Sequence, residues 1–249
     1  MNKFILCTSW DDGDHYNLKM AALLDKYDLK GTFFIPTKSI DKGRLIRQDL
    51  KDLAARHEIG SHTATHPDLS AIDVPSASEE IGVSKMILEN LIGREVASFC
   101  YPYGRYSQGI VGLVRKFGYK CARTTGRYNV SDVSNAYLVA PTVHFSHRFI
   151  SPLTLELFVK NPRFFLANHS IAEAAVFRRA FAGGLFFHLW GHSWDVEMKH
   201  HWKRLEEMLV YLRTNFDFES LTFGEMVGRI SVPSKVQNQN LREHPGFSH

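Results

Sequence analysis

Phe4-Ile5-Leu6-Cys7-Thr8-Ser9-Trp10-Asp11-Asp12-Gly13 reads as a short apolar strand that runs into two adjacent carboxylates. An amphipathic stretch over 15–27 follows, with Leu18, Ala21, Ala22, Leu23 and Leu24 near helical period. Gly31-Thr32-Phe33-Phe34-Ile35-Pro36 is then a buried strand stopped by proline. The same alternation continues along the chain. Strands are predicted over 58–61, 96–101, 119–122, 137–143, 185–190 and 218–221, and helices over 48–56, 76–91, 107–117, 200–215 and 223–230. Ser76 reads as an N-cap with Glu79 as its capping-box partner, and 151–181 is helical in pattern but interrupted by Pro162. Near-continuous apolar strands alternating with helices predict a parallel sheet with helices outside it. About seven such strand-helix units in one domain, residues 1–231, point to an α/β fold of closed or nearly closed barrel type. The remainder, 232–249, is polar with prolines at 233 and 245, and is expected to be a loose tail.

Bulk composition narrows the class without choosing within it. Hydrophobic residues at 44% and charged residues at 22% suit a globular chain, and 249 residues suffice for one substantial core. The net charge of +4 comes without any run of Lys and Arg, so no nucleic-acid footprint is read. No apolar stretch approaches the ~18 residues of a membrane span. The first residues lack the hydrophobic region and cleavage site of a signal peptide, and Cys7, Cys100 and Cys121 lie in apolar runs as reduced thiols. The expectation is a cytoplasmic protein.

The chemistry lies at the strand ends. Ser61-His62-Thr63-Ala64-Thr65-His66-Pro67 follows the 58–61 strand, and two histidines four apart reach one metal if their segment is a helical turn or a tight loop. An aspartate with two histidines supplies three protein ligands and leaves positions for water, as a hydrolytic metal site requires. One carboxylate of the Asp11-Asp12 pair can bind the cation while the other is left free to take a proton. Pro102-Tyr103 and His192 also fall just after predicted strands, where parallel barrels carry their active sites.

The order Trp10-Asp11-Asp12-Gly13, then His62-Thr63-Ala64-Thr65-His66 about fifty residues on, resembles the first two motifs of the polysaccharide deacetylase family. That family of carbohydrate esterases includes the nodulation-type chitooligosaccharide deacetylases and folds as a distorted (β/α) barrel. The resemblance implies that Asp11 is the general base, and that Asp12, His62 and His66 hold one divalent metal. Zinc suits the donors best, with cobalt, nickel or manganese as alternatives. Phe99-Cys100-Tyr101-Pro102-Tyr103-Gly104 resembles the third motif, whose residue after proline gives a backbone N–H to the oxyanion; here that is Tyr103. The family's arginine position is Cys100, and Arg123, at the next strand end, is the candidate to pair with Asp11 instead. The family's Asp-and-Trp groove motif is not found around 123–129.

Phe187-His188-Leu189-Trp190-Gly191-His192-Ser193-Trp194-Asp195 fits the last motif, where a histidine protonates the leaving amine. His192 at the strand end is preferred to His188 in mid-strand, with Asp195 or Glu197 to orient its ring. Trp190, Trp194 and Tyr103 are read either as an aromatic wall for a sugar or as core. Glu58 and Asp68 flank the histidines as solvent or supporting residues. The stretch 140–182 is read as a packing helix pair or a substrate-capping insertion.

The function expected is metal-dependent hydrolysis of an N-acyl group, acetyl first, from an amino sugar. The missing groove motif favours an oligosaccharide, glycolipid precursor or nucleotide sugar over a polymer. The alternatives are a non-sugar amide or formamido hydrolase on the same fold, and a non-catalytic carbohydrate-binding barrel.

Overall fold

Strand β1 (Ile5–Asp11) is buried along its whole length, which a strand achieves only with cover on both faces. It pairs in parallel with β7 (Phe186–His192) from Ile5↔Phe186 to Asp11↔His192. The computed structural model describes residues 3–40, 45–145 and 179–231. Around that central ladder lie α1 (Tyr16–Lys26), β2 (Thr32–Ile35), α2 (Arg47–Arg56), β3 (Glu58–Ser61), α3 (Val74–Ile92), β4 (Ser98–Cys100), α4 (Gln108–Lys116), β5 (Cys121–Arg123) and β6 (Val143–His144). After β7 come α5 (Ser193–Met198), α6 (Trp202–Asn215), β8 (Glu219–Leu221) and α7 (Phe223–Ser231).

The sheet runs β5-β4-β3-β2-β1-β7-β6, all parallel, and β8 pairs with Ile5–Cys7 of β1. Because β7 occupies one edge of β1, β2 and β8 share the other, β2 at Ser9 and Trp10 and β8 nearer the start. Residues 136–145 draw the two sheet ends together. Thr124 N–H donates to Val139 O at 3.0 Å on one side, and Phe145 N–H to Trp190 O at 2.7 Å on the other. The outcome is one α/β domain whose parallel strands curl into a distorted barrel.

Alternation along the strands separates two apolar layers. Cys7, Phe34, Cys100, Cys121, Phe186 and Phe223 face one another inside the curl. Leu6, Phe33, Ile59, Phe99, Phe187 and Leu189 face outward onto helix residues such as Leu24, Leu50, Ile81 and Leu209. All three cysteines are buried thiols without a disulfide.

Several expectations need correction. The cap of α3 is Asp73, which accepts from Ser76 N–H at 2.7 Å; Ser76 lies inside the helix. The strand expected over 137–143 shrinks to β6 plus a single bridge between Arg123 and Val139, since Pro141 brings no N–H to continue a ladder. β7 extends two residues past 190, so His192 is its last residue instead of following it. Most of the helical pattern at 151–181, most of the 140–182 segment and the tail over 232–249 lie outside the described residues.

Two buried histidines couple stability to pH. Burial, with Arg56 beside it, holds His57 below the usual imidazole range against the pull of Asp25. Burial and then Arg123 hold His188 well below it. Both rings are neutral in the fold, so the unfolded chain protonates first as pH falls. Their contribution is complete above about pH 6.5 and declines below it, by up to roughly 1.4 kcal/mol per pH unit for each ring. Urea unfolding at pH 7.0 and 5.5 should show this loss, and a His57→Gln, His188→Gln protein should show a shallower slope. An unchanged slope in that variant would place the acid sensitivity elsewhere.

Candidate active site

Asp11 and Asp12 end β1 in opposite environments. Asp11 is 2% exposed and points into the barrel, whereas Asp12 turns out with φ 74° and lies at the opening. Such left-handed backbone is tolerated by Asp, and it is how two neighbouring carboxylates diverge. Thr63 (φ 67°), His66 (φ 65°) and Tyr103 (φ 58°) share this conformation around the same opening. Local strain of this kind concentrates where geometry is over-determined.

The histidine segment is a tight loop, with His66 N–H donating to Thr63 Oγ1 at 2.9 Å. Glu80 of α3 clamps it by accepting from the N–H groups of Ala64 and Thr65, at 2.9 and 2.7 Å, and from Thr65 Oγ1 at 2.7 Å. His62 Nδ1 lies 2.8 Å from the carbonyl of Cys100, so it is the donor there and Nε2 presents its lone pair. Burial drives this ring's pKa down to about 4, which keeps it neutral.

His62 Nε2 and His66 Nε2 are 3.0 Å apart, and Asp12 Oδ1 is 3.8 and 3.5 Å from them. Ligands about 2.0–2.2 Å from a tetrahedral zinc stand about 3.4 Å from one another. The donor set and its spacing therefore fit one divalent cation. The other clustered donors, Asp11, His62 and Cys100, do not. Arg123 already fills that space, with Nη2 bonded to Asp11 Oδ2 and 2.9 Å from Cys100 Sγ.

Arg123 ends β5 and is fully buried, its guanidinium 4.5 Å from the Trp190 ring and 5.3 Å from that of Phe34. Burial pushes the Asp11 carboxyl up, but Arg123, then His62 and His192, outweigh it and hold it below its ordinary value. A carboxylate that its neighbours favour in the ionised form thus sits directly behind the candidate metal ligands. Its Oδ1 makes no hydrogen bond among the described residues.

Tyr103 is 59% exposed, with its ring 4.7 Å from that of His66. Gly104 beside it has φ 69°, and a Cβ there would stand 2.0 Å from Thr125 Oγ1, so this turn requires glycine. Asp68 accepts from Arg105 at 2.6 Å on the same rim. Glu58 is remote from the opening: it accepts from Thr32, Ser98 and Gly224 N–H at the other end of the barrel.

His192 is partly exposed, with Nε2 3.8 Å from Asp12 Oδ2. His188 is enclosed in the barrel interior, Nε2 2.8 Å from Ser9 Oγ. Neither Asp195 nor Glu197 orients His192, because both point along α5 to other partners, Asp195 to Lys199 and Glu197 to Lys19 and Trp202. The ring instead stands among aromatic neighbours: His144 at 5.6 Å, Trp190 at 5.7 Å and Trp194 at 5.2 Å. Trp190 is buried beneath the site over Arg123, so exposed aromatic surface at the opening falls to Tyr103 and Trp194. His144, one of the aromatic and basic residues of the 140–182 stretch, ends β6 beside His192, and Glu80 is a site neighbour with no motif to mark it.

Residues 1–122 match the profile of the polysaccharide deacetylase family. A Bacillus subtilis protein, YxkH, whose name as a polysaccharide deacetylase is provisional, is 32% identical over 126 residues, 49% of this chain and 45% of that one. The chitooligosaccharide deacetylase of Azorhizobium caulinodans is 31% identical over 121 residues, 47% of this chain and 56% of its own. The chain thus spans about half the length of these curated relatives. The fold is shared with a family 4 acetyl xylan esterase from Clostridium thermocellum in complex with cobalt, at TM-score 0.60 and 16% identity over 92% of this chain and 93% of that one. It is also shared with a family 4 pseudoenzyme from Bacillus anthracis, at TM-score 0.58 and 15% identity over 91% and 66% of the two chains. With the matched residues running through the Asp11-Asp12 turn, the histidine loop and the Pro102-Tyr103 turn, residues 1–122 belong to the polysaccharide deacetylase family.

Proposed function

We propose that residues 1–231 form a metal-dependent hydrolase that removes an N-acyl group, acetyl first, from an amino sugar. The observation that carries this reading is the ionised Asp11–Arg123 pair set against the Asp12, His62 and His66 cluster, with His192 across the opening. A cation held by these three ligands would polarise the amide carbonyl and acidify water, and zinc is the ion its donors suit best. Asp11 takes the proton of the attacking water, and Arg123 keeps it ionised for that task. The backbone N–H of Tyr103, the residue after proline in the third motif, would serve the charge that develops on the carbonyl oxygen. His192 gives its proton to the nitrogen as the C–N bond breaks, so that amine and carboxylic acid depart. Tyr103 and Trp194 offer the ring surfaces a sugar needs.

A barrel that only binds sugar needs neither a proton acceptor behind the ligands nor a histidine across the opening, and Asp11 and His192 stand in those places. The test is acetate release from N-acetylglucosamine oligomers, with and without chelator, alongside elemental analysis. The unaltered protein should carry about one divalent metal and lose turnover on chelation. The His62→Ala, His66→Ala protein should carry none. Full metal content in that variant, or release indifferent to chelator, ends the reading. Release only from formamido substrates would move the protein to the other amide-hydrolase class.

A further inference from the structure

The two oxygens of Asp12 face different neighbours. Oδ1 turns to the histidines, while Oδ2 accepts a hydrogen bond from Trp194 Nε1 at 3.0 Å. We propose that Trp194 is a positioning residue whose indole N–H fixes the Asp12 carboxylate so that a single oxygen is offered to the cation. The inference rests on the metal reading above and assigns Trp194 a task distinct from lining a sugar site.

The placement of Trp194 is itself built. It is the second residue of α5, and the first, Ser193, is buried and donates through Oγ to Asn17 Oδ1 of α1 at 2.6 Å. That bond ties the start of α5 to the helix that follows the Asp11-Asp12 turn. The indole is 37% exposed, so its ring is not a core plug and a phenyl ring fits the same space. Asp12 itself is partly solvated on a left-handed backbone, where its side chain gains little from packing. His192 Nε2 stands 3.8 Å from the same Oδ2, so without the indole it competes for the carboxylate and draws it from the histidine pair. Partners that orient a ligand in this way typically contribute about 10–100-fold in metal affinity.

The test uses the metal-free 249-residue protein titrated with zinc against a chromophoric chelator. Trp194→Phe keeps the ring and removes the donor; its dissociation constant should rise about 10–100-fold, with the metal-free melting temperature unchanged. A second measurement reads the bond directly, through the indole N–H resonances of the four tryptophans in labelled metal-free protein. The resonance missing from Trp194→Phe should move upfield in Asp12→Ala. A dissociation constant within twofold of the unaltered protein, or a Trp194 resonance blind to Asp12→Ala, overturns the proposal. Failure of the unaltered protein to bind zinc would instead remove the metal reading, and is seen before any variant is made.

Discussion

Asp11→Asn should keep the metal and lose turnover by roughly 10²–10⁴-fold, the usual cost of removing a general base. The side chain keeps its shape, and the three candidate ligands lie on Asp12 and the histidine loop, so elemental analysis should show unchanged metal. What disappears is the carboxylate that stands behind the ligands with an oxygen open to a proton among the described residues. Asp11 is enclosed, its Oδ2 committed to Arg123 and its Oδ1 unpaired among the described residues. That free oxygen is the acceptor the reaction needs. Acetate release at matched metal content is the measurement. Turnover within tenfold of the unaltered protein would return Asp11 to a structural role.

Arg123→Met should destabilise the metal-free protein by about 3–5 kcal/mol, because it leaves a carboxylate buried without its partner. Asp11→Asn leaves the opposite charge stranded, at a similar order of cost. The double variant removes both charges, so its loss should be far smaller than the sum, as expected for residues in one ion pair. Urea unfolding of the four proteins completes the cycle. Additive losses would mean that Arg123 serves through its packing on Trp190 and Phe34, and that the charge on Asp11 is held by other groups.

Sequence carried the barrel and the strand-end motifs because each rests on a local pattern: apolar strands, a helix between them, then the reactive residues. Arg123 was legible as a candidate from the vacancy at Cys100 and a position at a strand end. The residues that were not legible act across the fold. Glu79 and Glu80 are adjacent on α3, and only the loop above the helix decides that Glu80 is the clamp. His144 stands out in sequence only as one of several aromatic and basic residues in 140–182; its two-residue strand is too short for any period to place it beside His192. Asp195 and Glu197 follow His192 closely in sequence, but the helical turn directs them to lysines. The cap of α3 was placed three residues late because Ser76 also fits the cap pattern, while the helix starts beyond Asp73.

The register of β1 on β7 also bears on how the protein is made. Ser9 and His188 are bonded across 179 residues of chain. At about 5–20 residues per second, β1 leaves the ribosome roughly 10–35 s before the strand that will lie beside it. Until then one edge of a strand destined for full burial has no partner, and open edges of this kind invite pairing with other chains. A one-residue slip in that late pairing would also turn His192 and Asp11 to opposite faces of the sheet. The distance between His192 and Asp11 is therefore settled by a late and highly non-local pairing, and yield during synthesis should depend on whatever shields β1 during that interval.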